Sequence, residues 1–209
     1  MKTNLCKRIL SVALSLALCA AAVFPSGITA CAETSAVFTA NTFYYDQLSA
    51  AQQAVYAQLD QACSELMSSK TNYSTQAFGI VRFDALSDED VMQVFRTFYY
   101  SNPQYYFLSP QLMYQNDLIV LSAYDFYRSD STDTQSNIRS SLNSEFDAAA
   151  AALINSLSSA ANDVAKEKAI IDAICKIPAS NSAEADSVYG ALLGSGCSSI
   201  GYAVTMSYL

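Results

Sequence analysis

Between Ser87 and Tyr124 the sequence changes its hydrophobic period, and this change constrains the fold more than any other stretch. Ser87 precedes Asp88-Glu89-Asp90. A hydroxyl at that point caps a helix while the carboxylates face the positive end of its dipole, so the acidic triplet needs no calcium or catalytic role. Val91, Val94, Phe95 and Phe98 then recur at helical spacing. Asn102-Pro103 ends the helix, because a residue before proline is pushed out of the helical region. The following runs, Tyr105–Leu108, Leu112–Tyr114 and Asp117–Tyr124, are aromatic and β-branched and are separated by Ser109-Pro110 and Gln115-Asn116. They predict two or three antiparallel strands. A capped helix feeding antiparallel strands places the chain in the α+β class.

The flanking segments extend the pattern. Val55, Leu59, Cys63 and Leu66 form the stripe of an amphipathic helix over Ser49–Ser69, with Cys63 acting as a small buried hydrophobe. Phe78–Phe83 is a short β-rich run. Asp130-Ser131-Thr132-Asp133 lacks the glycine and closing glutamate of an EF-hand and reads as a helix start. From there Ile138, Leu142, Phe146, Ala149, Leu153 and Leu157 trace one long helix. Ser158–Asn162 interrupts it, and a further helix runs from Asp163 through Ile170, Ile171, Ile174 and Ile177 to Pro178. The tyrosines around Tyr105–Tyr124 suit either a sheet edge with hydroxyls at water or a sugar-binding platform.

Residues 1–32 read as a secretory signal: Lys2, Lys7 and Arg8 precede the apolar Ile9–Phe24, and Pro25-Ser26-Gly27 breaks it before Ala30-Cys31-Ala32. Cleavage after Ala32 and export are expected, the alternative being a lipid anchor on Cys31. The apolar run is short for a membrane span and no second one follows, so no transmembrane segment is expected. The remaining residues carry a net charge of about −11 with scattered basic residues, which excludes nucleic acid as a partner. Three cysteines remain after cleavage, Cys63, Cys175 and Cys197, too few for a disulfide scaffold. The sequence has no histidine and no Cys-x-x-Cys, so neither a metal site nor a bound cofactor is expected.

The closing segment carries the most specific signal. Ser187-Val188-Tyr189-Gly190-Ala191-Leu192-Leu193 and Gly201-Tyr202-Ala203 resemble the nucleophile segment of secreted bacterial transglutaminase-like proteins, in which Tyr-Gly-Ala-Leu and a polar turn lead to Cys-x-Gly-Tyr-Ala at a helix start. The position two residues before Gly201 holds Ser199, and the nearby Cys197 lies two places early. Phe98–Phe107 is similar to the aromatic stretch before that family's core, and Lys166–Ile174 to the helix that opens it, with Ile171 where members often have histidine.

The resemblance implies a papain-like core, in which a cysteine at a helix N-terminus, activated by histidine and aspartate, performs acyl transfer or peptide hydrolysis. It also implies that the histidine and aspartate lie downstream of the nucleophile helix. The chain is therefore expected to be a fragment of a longer protein, a degenerate copy, or both. The expected organisation is a signal over 1–32, an N-terminal α+β region over 33–160 and the opening part of a transglutaminase-like core over 161–209. The expected function is that of a secreted superfamily member without catalytic activity in this form, with Ser199 at the nucleophile position and Cys197 as a displaced candidate. A non-enzymatic surface module contacting a protein, peptide or cell-wall glycan is the alternative.

Overall fold

The computed structural model describes residues 42–68, 77–128, 135–157 and 162–209; the leader and Asp130–Asp133 lie outside them. The described residues form a mixed α+β fold with six α-helices and a three-stranded antiparallel sheet. The helices are α1 (Ala50–Ser68), α2 (Asp88–Ser101), α3 (Gln135–Leu157), α4 (Asp163–Ile174), α5 (Val188–Leu192) and α6 (Ser199–Tyr208). The strands are β1 (Ala77–Arg82), β2 (Met113–Gln115) and β3 (Leu118–Ser122), in sheet order β1-β3-β2.

Helix α1 buries the stripe expected of it, Val55, Leu59, Cys63 and Leu66. Helix α2 begins with a capping box: the Asp90 N–H donates to Ser87 Oγ (3.2 Å) and the Ser87 N–H donates to Asp90 Oδ2 (3.1 Å). Such a cap contributes about 1 kcal/mol. The helix ends at Ser101 and buries Val91, Val94, Phe95 and Phe98. Asn162 caps α4 by accepting from the Ala165 N–H at 2.9 Å.

Asn116 and Asp117, both in the left-handed region (φ 51° and 61°), form the two-residue turn between β2 and β3. A turn with both central residues at positive φ follows the natural twist of a hairpin, and asparagine and aspartate tolerate that conformation. β1 then pairs with the other side of β3, from Ile80 opposite Val120 to Arg82 opposite Leu118. Val81, Ile119 and Leu121 point into the core while Ile80 and Arg82 stay exposed, the two-residue alternation of a one-sided sheet. The sheet sits close against α1; a β-carbon on Gly79 would come 3.2 Å from Ala62 Cβ.

Of the three runs expected to supply two or three strands, two hold β2 and β3, and Tyr105–Leu108 forms no strand. It is a pair of turns, with the Tyr105 N–H donating to Asn102 O and the Leu108 N–H to Tyr105 O, and only Leu108 makes a bridge, to Ala123. All four of its side chains are buried, without the alternation of a one-sided strand. Two of the tyrosines depart from both readings given to them, while Tyr114 is half-buried on the edge strand β2. Tyr105 and Tyr106 are core residues whose hydroxyls donate inward, to Asp60 Oδ1 at 2.7 Å and Asn143 Oδ1 at 2.5 Å.

The apolar cluster runs from α1 and α2 through the sheet to Phe146 and Ala150 of α3, Val188 of α5 and Val204 and Tyr208 of α6. Tyr106 links its two ends. It stacks on Phe146 (centroids 4.1 Å apart) and on Tyr189 (6.0 Å), and Tyr189 in turn stacks on Phe126 at 3.8 Å. Helix α4 packs more loosely: of its expected inner face only Ile174 is buried, while Ile171 is 45% exposed. No described helix is long and apolar enough to cross a membrane.

Candidate functional site

The junction between α5 and α6 is held by its backbone. The Gly196 N–H donates to Gly190 O (3.1 Å), the Cys197 N–H to Pro178 O (3.0 Å) and the Ser198 N–H to Ala185 O (2.9 Å), while Cys197 O accepts from the Ser180 N–H (3.0 Å). Three successive residues are thereby tied to three other segments. Gly196 has φ +125°, and a β-carbon there would meet Pro178 O at 2.2 Å, so both its conformation and its surroundings require glycine. A β-carbon on Gly201 would lie 2.0 Å from Ala185 O and 2.6 Å from Cys197 Cβ. One on Gly190 would lie 2.6 Å from Glu184 O.

Ser198 is the N-cap of α6. Its Oγ accepts from the N–H groups of Ile200 (3.1 Å) and Gly201 (3.3 Å) and donates to Asp186 Oδ1 in a short contact. Ser199 is the first residue of the helix and is exposed. Its hydroxyl makes no hydrogen bond to another described residue, and the Asp186 carboxylate accepts from Ser198 instead. A serine hydroxyl needs a general base to attack a carbonyl, and no imidazole exists anywhere in the sequence to supply one. The free N–H groups of a helix start could polarise an oxyanion, but here the Ile200 and Gly201 donors are already satisfied by Ser198.

Cys197 is fully buried, 0% exposed. Burial pushes its thiol above the usual range. That is the opposite of an activated thiolate, which requires a lowered pKa and access to solvent. Tyr202 donates its own hydroxyl proton to Ile177 O at 2.6 Å, tying α6 to the segment after α4. Burial likewise raises the thiol pKa of Cys63, the close-packed hydrophobe on α1. Cys175 alone of the three is exposed.

The residues that carry the sequence resemblance therefore have packing assignments: Tyr189 stacks on Phe126, Gly190 and Gly201 allow close backbone approach, and Tyr202 anchors the preceding segment. Ser199 and Cys197 lie two residues apart but face different surroundings, one open and one enclosed. The Ser198–Asp186 pair was not singled out from the sequence, although a serine just before a helix start is a recognisable cap signal. Its carboxylate partner twelve residues earlier is brought near only by the fold. Among the described residues no group of three or more cysteine, aspartate or glutamate side chains is arranged to hold a metal ion.

A second concave feature lies away from this junction. Helix α2 and the segment following Ser109 enclose an open groove of about 230 Å³. Phe95 and Tyr99 form its buried floor, and Met92, Arg96, Tyr100, Pro110 and Leu112 its walls. No protein-family model matches the chain, and no curated protein matches it in sequence.

Proposed function

We propose that the chain is an exported, catalytically inactive relative of the transglutaminase-like superfamily, in which the nucleophile junction persists as a scaffold. The observation that carries this reading is Ser199: it stands exposed at the first residue of α6, where the resemblance puts the nucleophile, in a sequence without histidine. Three physical points support inactivity. The Ser199 hydroxyl has no base, the helix-start donors are capped by Ser198, and the one thiol in the segment is enclosed and protonated. The basic and apolar leader supports export.

Two assays test the reading together. The protein is expected to incorporate no fluorescent primary amine into a glutamine-bearing acceptor protein above the buffer rate. Incorporation that is abolished by Ser199→Ala would contradict it. In the Ser199→Cys variant the new thiol should alkylate with an apparent pKa below the ordinary value of about 8.5, because it lies at a helix N-terminus. The same variant should still transfer no acyl group, since a thiolate without an imidazole has nothing to protonate the leaving amine.

A second reading, a non-enzymatic interaction module, is favoured by the groove on α2. That groove combines exposed aromatic and apolar walls with a basic side chain on a predominantly acidic chain.

A further inference from the structure

We propose that the groove between α2 and residues 109–112 binds an extended peptide with proline or leucine side chains and a carboxylate, the carboxylate pairing with Arg96. This deepens the interaction-module reading and rests on it.

The floor of the groove is preorganised. Phe95 and Tyr99 stack with centroids 6.3 Å apart, and Tyr100 sets its ring edge-on to Tyr99 at 5.3 Å. Rigid rings lose little conformational freedom when a ligand arrives, which lowers the ordering cost of binding. Tyr100 is 47% exposed, and the exposed Pro110 lines the same groove. Aromatic rings flanking a shallow channel suit proline and leucine side chains presented by an extended backbone. The available volume is below the roughly 300–1,000 Å³ of small-molecule pockets, so it takes one or two side chains and not an enclosed cofactor.

Charge selects the rest of the ligand. Arg96 lies exposed on the groove wall and makes no ion pair with another described residue. It is one of 11 basic residues against 19 acidic ones, so a guanidinium left free beside an apolar channel is the local exception to an acidic surface. A carboxylate matches its planar donors. A sugar fits less well. Its many hydroxyls need side-chain amides or carboxylates, and the lining contains neither. The Leu112 wall also runs directly into β2, whose outer edge has no strand partner among the described residues. A peptide leaving the groove can continue along that edge through main-chain hydrogen bonds.

The test is fluorescence anisotropy of the full chain with a labelled, acetylated Ser-Pro-Leu-Pro-Glu peptide, alongside its glutamine analogue and a labelled chito-oligosaccharide. The expected result is saturable binding of the acidic peptide, weakened about fivefold by the glutamine analogue or by Arg96→Gln, with no further loss when the two are combined. Tyr100→Ala should weaken it about tenfold. Circular dichroism spectra unchanged in both variants, as expected for exposed side chains, assign the losses to the groove. Peptide binding that neither variant alters overturns the proposal. Saturable binding of the oligosaccharide in place of the peptide overturns the peptide assignment while leaving an interaction module standing, and binding of neither overturns both.

Discussion

Gly201→Ala is expected to lower the midpoint of thermal unfolding by roughly 4–12 °C, although alanine is the better helix former by about 1 kcal/mol. The added methyl would lie 2.0 Å from Ala185 O and 2.6 Å from Cys197 Cβ. Neither neighbour can give way freely. Ala185 O accepts the Ser198 N–H, and Cys197 is held on both sides by its bonds to Pro178 and Ser180. Helix α6 must therefore move outward as a unit, pulling Val204 and Tyr208 from the core. Overpacking of this kind costs about 3–4 kcal/mol, more than the propensity gain returns. Gly79→Ala provides the contrast, since its methyl would meet Ala62 Cβ and Leu121 at 3.2 and 3.4 Å, distances that a few tenths of an ångström relieve. Calorimetry on both variants checks the difference.

Tyr106→Ala is expected to destabilise the protein by about 3–5 kcal/mol in urea unfolding, with the slope of the transition unchanged. Tyr106 is 2% exposed and stacks on Phe146 and Tyr189 while presenting its edge to Tyr127. Removing the ring opens a cavity where α3, α5 and the turn after α2 meet. Tyr106→Phe keeps the ring and loses only the hydroxyl that donates to Asn143 Oδ1. That acceptor retains the Tyr127 hydroxyl at 3.1 Å, so the loss should stay near 1 kcal/mol. The ratio between the two variants measures how much of the link is stacking and how much is hydrogen bonding.

The elements legible in the sequence were those fixed by local chemistry. The α2 cap needs only Ser87 and Asp90, three residues apart, and the α1 stripe needs only its own period. Tyr105–Leu108, one of three runs from which two or three strands are expected, is not one of the two that form, although its β propensity is high. Burial on every side, set by α1, α3 and the sheet, lets consecutive turns replace pairing there. On α4 the expected face of Ile170, Ile171 and Ile174 is only partly covered, and periodicity alone cannot say how much surface a neighbour will bury. At the α5–α6 junction the position of Ser199 could be counted along the chain. The enclosure of Cys197 and the Ser198–Asp186 contact could not, because both depend on the return of residues 178–186 to the helix start.

The segment from Tyr189 to Ala203 serves packing and holds no activated thiol. Residue-resolved iodoacetamide labelling of the native protein at pH 7 tests this most directly. Cys175 should react at the rate of an ordinary exposed thiol. Cys63 and Cys197 should react at least about 100-fold more slowly, since each needs a local opening of about 3 kcal/mol to meet the reagent. Labelling of Cys197 faster than Cys175 would contradict the account, because it would require an accessible thiolate at the helix start.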